Sequence, residues 1–279
     1  MRTQSVDTSP EAERVLIELI RKASIAKRFE LVCSWTKSVL QLNQQGILEQ
    51  HPNASAQELT RLLLAEHYGQ MLADAAQKKL TTVSKLPVPD LLITLASLAE
   101  IFEQLKISYY IGGSIASSTH GMRQAARDID IVADIKPEHT SSLIALLQTE
   151  YYSDEKAIYE AVQKHTCFSI IHLNTLFKVD VIIPMRDDFN KQEFKRAHYC
   201  SVEKDNHTFC LSSPEDIILF KLKQYKLNGE SADDQWNDIL GVLKVQASSL
   251  DLAYLEKWAT TFNIKDLLKS ASIDAGLAE

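Results

Sequence analysis

Two acidic residues spaced one apart at the head of an apolar run constrain this chain more than any other feature. Asp128-Ile129-Asp130-Ile131-Val132 reads as a strand. Side chains along a strand alternate between faces, so Asp128 and Asp130 share one face and Ile129 and Ile131 the other. Carboxylates held side by side repel each other unless a cation lies between them, and Mg²⁺ favours a few carboxylate oxygens together with substrate phosphates. Upstream, Gly112-Gly113-Ser114 closes another apolar run, Ile107, Tyr109, Tyr110 and Ile111. Without Cβ atoms, Gly112 and Gly113 let the backbone bend tightly and approach a triphosphate. Ser114 begins the next helix, where its hydroxyl and the neighbouring N–H groups can bind phosphate. The plainer alternatives are a Ser-capped strand-to-helix turn and a solvated strand start.

The ordered set, a Gly-Gly-Ser turn, a helix-length gap and then Asp-x-Asp, resembles the nucleotidyltransferase superfamily typified by DNA polymerase beta, over roughly residues 90–245. That family carries a third carboxylate on a later strand. The candidate here is Asp180, the only acid in Phe177-Lys178-Val179-Asp180-Val181-Ile182-Ile183; the alternative is an exposed position on an edge strand. The resemblance implies transfer of a nucleoside monophosphate from an NTP, ATP among them, to a hydroxyl, with release of pyrophosphate. It implies two Mg²⁺ ions about 4 Å apart, bridged by Asp128 and Asp130, with Asp180 completing the ion nearer the acceptor and helping to deprotonate its hydroxyl. Gly112, Gly113 and Ser114 would bind nucleotide. Arg127 and Lys221 are candidate phosphate contacts, with a surface ion pair and a solvated helix face as their alternatives. Lys178 shares the Asp180 face and can pair with an acid or touch nucleotide. The acidic segment Asp233–Asp238 resembles one in relatives but lacks their Arg-Asp start.

Similar proteins include stand-alone bacterial enzymes, among them toxin–antitoxin and phage-defence transferases, and antibiotic-modifying enzymes. An RNA end or a protein side chain is favoured as acceptor over a small molecule because of an extra helical module. The other readings are an antitoxin or regulatory binding module with a retained or vestigial nucleotide site, and an antibiotic-type transferase.

Net charge is −7 over 279 residues, and it is uneven: residues 1–85 carry +2 and residues 86–279 carry −9. An acidic catalytic part is not expected to hold nucleic acid by bulk charge. No apolar run reaches membrane-spanning length, and the N-terminus MRTQSVDTSPEAER lacks a signal-like core. Cys33, Cys167, Cys200 and Cys210 lack paired metal spacing and read as reduced thiols. The expected location is cytoplasmic. The eight histidines show no metal-ligand spacing, and no Walker-type loop, nucleophile elbow or Cys-His pair stands out.

The expected fold is α+β, a mixed sheet flanked by helices. Residues 1–85 form a helical module, 86–212 the catalytic domain and 213–279 a C-terminal helical region. In the module, Ser9-Pro10 starts one helix, a second runs from Ile25 to Gln45 with Gly46 as C-cap, and Ser55–Glu58 is a capping box. Residues 9–80 either pack as structure or recruit a partner or acceptor. Thr81–Pro89 is the linker candidate. Beyond it, Asp90 caps a helix, strands are expected near 107–111, 128–134, 167–173, 177–183, 198–203 and 207–211, and helices near 213, 233–245 and 251–262 close the chain.

Overall fold

The computed structural model describes residues 2–5, 7–77, 80, 86–202, 207–231 and 233–277. In chain order, the helices of the N-terminal part are α1 (Pro10–Lys22), α2 (Ile25–Gln50), α3 (Ala56–Tyr68), α4 (Gln70–Gln77) and α5 (Leu91–Gln104). The middle contains β1 (Tyr109–Ile111), α6 (Gly113–His120), β2 (Ile129–Ala133), α7 (Thr140–Glu150), β3 (Tyr151–Ser153), α8 (Glu155–Lys164), β4 (Cys167–His172), β5 (Lys178–Ile182), α9 (Asp188–Arg196), β6 (His198–Val202) and β7 (His207–Leu211). Then follow α10 (Pro214–Leu227), α11 (Asp233–Gln246), α12 (Leu252–Thr261) and α13 (Lys265–Ala275). The fold is α+β with mixed strand pairing. No helix among the described residues is long and apolar enough to cross a membrane.

Local chemistry accounts for most helix starts. Ser9 accepts from the Ala12 N–H with Pro10 in the first turn. Ser55 and Glu58 form a reciprocal capping box, and Asp90 and Ser213 cap α5 and α10. These side chains satisfy N–H groups that have no partner within the helix. Gly46 is a correction: it lies inside α2, which continues to Gln50. Ile47, one residue on, is buried among Leu59, Leu63 and Leu64, and that packing outweighs the modest helix penalty of glycine, about 1 kcal/mol. A glycine does end the next helix: Gly69, with φ +87°, is the C-cap of α3 and separates it from α4. Elements that sequence reading does not anticipate are β3, α9 and α13. Of the linker candidate, residues 81–85 lie outside the described residues, as does residue 203 of the strand expected at 198–203, of which His198–Val202 is described.

The chain groups into two compact units. The first comprises Met1–Val32, Tyr110–Gln124 and Arg186–Glu279 and draws on all three segments marked out from the sequence; the second comprises Cys33–Tyr109 and Ala125–Met185. In the first unit β7 pairs in parallel with β1, Leu211 opposite Ile111, and antiparallel with β6. Its core is built by α10–α13, with Ile218, Leu222, Ile239, Leu243 and Leu255 buried. Gly121 meets α11 so closely that an added Cβ would stand 2.6 Å from the Val242 nitrogen.

In the second unit the strands run β3-β4-β5-β2. β4 is antiparallel to both β3 and β5, while β5 and β2 are parallel. The expected hairpin between residues 167 and 183 is thus present. All four cysteines are free thiols, three of them buried.

Candidate active site

The parallel pair β2·β5 sets the site. Its register places Asp130 opposite Asp180. Register partners on parallel strands project to the same face. Ile129, Ile131, Val179 and Val181 are buried, whereas Asp130 and Asp180 are only partly covered. Asp128 stands just before β2 with its side chain 38% exposed. Alternation therefore brings the expected acids to one sheet face.

Lys178 lies on that face as well. Its ammonium donates to Asp180 Oδ2 at 2.5 Å and stands 3.9 Å from Asp128 Oδ2. Two oxygens that share one ammonium can be no farther apart than those two distances together, so the Asp180 and Asp128 carboxylates are near each other. The other oxygen, Asp180 Oδ1, accepts from Ser169 Oγ at 2.5 Å. Ser169 is opposite Asp180 in the β4·β5 ladder. Sequence reading missed Ser169, because its role appears only once the ladder register is known.

Tyr68, at the end of α3, is a second residue that sequence reading missed. Its hydroxyl donates to the Arg127 carbonyl and accepts from the Lys178 N–H, each at 3.2 Å. One phenol thereby ties the segment leading into β2 to the first residue of β5. Burial pushes the Tyr68 hydroxyl up to about 12, and the carboxylates of Asp128 and Asp180 add to the rise. The Arg127 side chain is exposed.

Among the described residues, no group of three or more His, Cys, Asp or Glu side chains is gathered closely enough to hold a metal ion. The single positive charge of Lys178 already lies against two of the three carboxylates, closely at Asp180 and at 3.9 Å from Asp128. In chemistry the donors suit Mg²⁺, being hard carboxylate oxygens on neighbouring strands, and one lysine side chain would have to turn aside to admit it.

The Gly-Gly-Ser turn belongs to the other unit. Gly113 has φ +52°, in the region that favours glycine, whereas a Cβ on Gly112 would meet nothing within 4 Å. Ser114 Oγ is shut off from solvent and has no hydrogen-bond partner, although a buried hydroxyl ordinarily finds one. Nearby, Ser117 Oγ bonds the Ser114 carbonyl at 3.1 Å and Asp238 Oδ2 at 3.2 Å. Lys221 Nζ donates to the same Asp238 oxygen at 2.5 Å. Lys221 is thus brought to the neighbourhood of the turn, but with its charge engaged by Asp238, in the acidic segment of α11.

No family model matches the sequence, and no curated protein matches it. Among solved structures, an antigenic nucleotidyltransferase-like protein from Paracoccidioides brasiliensis is similar over 64% of this chain and 90% of its own, at 18% identity and a TM-score of 0.39. The lincosamide antibiotic adenylyltransferase LnuA, solved with lincomycin bound, is similar over 54% of this chain and 95% of its own, at 16% identity and a TM-score of 0.38. Likeness this loose assigns no reaction to the chain.

Proposed function

We propose that this chain is a Mg²⁺-dependent nucleotidyltransferase that moves a nucleoside monophosphate from an NTP to a hydroxyl on an RNA end or a protein side chain. The observation that carries the reading is the β2·β5 register, which sets Asp130 opposite Asp180 on a face that also receives Asp128. Carboxylates that share one sheet face repel each other unless cations lie between them, and the three would have to draw closer than they stand here to share a metal ion. Asp128, Asp130 and Asp180 would hold two Mg²⁺ ions, which when bound supply charge neutralisation to the triphosphate. Asp180 would take the proton of the acceptor hydroxyl. The acceptor oxygen forms a bond to the α-phosphorus, the bond from that phosphorus to the bridging oxygen breaks, and pyrophosphate leaves. Gly112, Gly113 and the unpartnered Ser114 hydroxyl would bind phosphate, with Arg127 and Lys221 as cationic contacts. Residues 9–80 would recruit the acceptor.

A second reading rests on the Lys178 ion pair. A lysine that permanently fills the cation position would make the chain a regulatory or antitoxin-like binding module with a vestigial nucleotide site.

The test is label transfer from each α-³²P-NTP, ATP first, to total RNA and lysate protein in Mg²⁺, by wild type and by Asp128→Ala/Asp130→Ala. Transfer by wild type and not by the variant supports the enzyme. No transfer with any NTP, together with tight co-purification of one protein, supports the binding module. Full activity in the variant would overturn the site.

A further inference from the structure

The first unit contains a cavity of about 270 Å³, lined by none of the three acid residues. Its walls are apolar: Leu16, Leu19 and Ile20 of α1, Leu31 of α2, and Met122. Leu16 and Leu19 are 41% and 59% exposed, so the apolar lining continues to the surface as an opening. A cavity of this size matches the lower end of small-molecule sites.

Two charged residues also line it, the exposed Arg123 and the half-buried Arg28. Arg28, one turn into α2, has its Nε and Nη1 shut off from solvent with no hydrogen-bond partner. Burial pushes its guanidinium below the ordinary value. Arginine stays charged in proteins, and guanidinium N–H groups buried without a partner are costly. The neighbouring His120 offers no compensation. It is buried, is held down to about 4, and bonds the Ser212 carbonyl at 2.7 Å through Nε2. Ser118 also lines the cavity, and its Oγ accepts the Gln124 N–H at 3.2 Å, which leaves the hydroxyl proton able to donate.

We infer that this cavity is a binding site for a small amphiphilic carboxylate, a medium-chain acyl acid or a molecule of that shape, with its anion on Arg28 and Ser118 and its tail among Leu16, Leu19 and Ile20. The charge complementarity is direct. A carboxylate accepts charge-assisted hydrogen bonds from guanidinium N–H groups, and the tail covers apolar surface now facing water. A phosphate or nucleotide suits the guanidinium equally but leaves the apolar walls uncovered. The site is independent of the proposed nucleotidyl transfer.

The experiment is calorimetric titration of the full chain with sodium octanoate below its micellar range, beside 1-octanol as the neutral control. Arg28→Met keeps the length of the side chain and removes the charge. Since it also removes two buried N–H groups that lack partners, it is expected to fold at least as stably as wild type. Wild type is expected to bind one octanoate per chain at least tenfold more tightly than octanol. Arg28→Met should lose that preference while retaining octanol binding, and Ile20→Phe, which fills the cavity, should bind neither. Absence of saturable octanoate binding would overturn the inference, leaving Arg28 to hydration. So would equal octanoate affinity in wild type and Arg28→Met. So too would concentration-dependent dimerisation abolished by Leu19→Glu with no octanoate effect, which would give this face to a second copy of the chain.

Discussion

Lys178 and Asp180 stand two residues apart on β5, and the ammonium of the first lies 2.5 Å from Oδ2 of the second while reaching toward Asp128 at 3.9 Å. The strand that supplies the third acid of the proposed metal set thus also supplies a cation. An ammonium is a monovalent substitute that offers no open coordination position, so Lys178 and Mg²⁺ compete for the same oxygens. The competition separates the two functional readings.

Lys178→Met should leave the acids facing each other without a counter-charge. In metal-free buffer we expect a loss of about 1 kcal/mol in stability, since the pair is only partly buried. Added Mg²⁺ should restore the melting temperature and bind more tightly than to wild type. Thermal melts with and without Mg²⁺ check this; a variant that Mg²⁺ does not stabilise counts against the metal site.

Tyr68→Phe removes only the hydroxyl that joins the Arg127 carbonyl to the Lys178 N–H. Loss of two hydrogen bonds at a partly buried phenol should cost about 1–2 kcal/mol in urea unfolding. If the phenol positions the acids, label transfer should fall by more than the stability loss explains, with kcat affected more than KM.

Glu13 and Lys244 form an ion pair at 3.1 Å with both side chains 1% exposed. Lys244 Nζ also donates to the Arg2 carbonyl, and Glu13 Oε1 accepts the Gln4 N–H at 3.0 Å. Removing one partner leaves the other charge buried and uncompensated, so Lys244→Met should cost about 3–5 kcal/mol. The double variant Glu13→Leu/Lys244→Met should recover most of that loss, as chemical denaturation would reveal.

Two buried groups of the first unit give the pH dependence of stability opposite slopes. Burial pushes Glu193 from 4.5 up to about 7, even though Asn190 donates to it at 2.7 Å. From about pH 4.5 to 7 the folded protein keeps a proton there that the unfolded chain has released, so this contribution falls as pH rises. Burial holds His120 down to about 4 from 6.5. From about pH 4 to 6.5 the unfolded chain binds a proton that the folded one refuses, so this contribution rises with pH. Relative to wild type, Glu193→Gln should therefore steepen the rise of stability with pH, and His120→Gln should shift the slope toward a fall. Melting temperatures measured across pH 4 to 7.5 test both signs.

Local and alternating features of the fold were legible in the chain. Ser9, Ser55, Asp90 and Ser213 announce their helices because capping depends on neighbours three residues away. Strand alternation places Asp128 with Asp130, and Lys178 with Asp180, on one face without knowledge of any partner strand. Charge-rich α9 buries only Phe189 and Glu193, too few apolar positions to announce a helix. The three-residue β3 exists because β4 offers it a ladder.

What the sequence by itself determined is therefore the α+β class, the caps and the facing of individual acids, since these follow from steric and hydrogen-bonding rules spanning a few residues. Only the tertiary structure decided that Asp130 stands opposite Asp180, that Ser169 and Lys178 take the two oxygens of Asp180, that Tyr68 ties Arg127 to Lys178, and that Lys221 is engaged by Asp238. Each of these is a contact set by strand register or helix packing. Register is chosen by which whole faces become buried, a property of paired elements that no single segment contains.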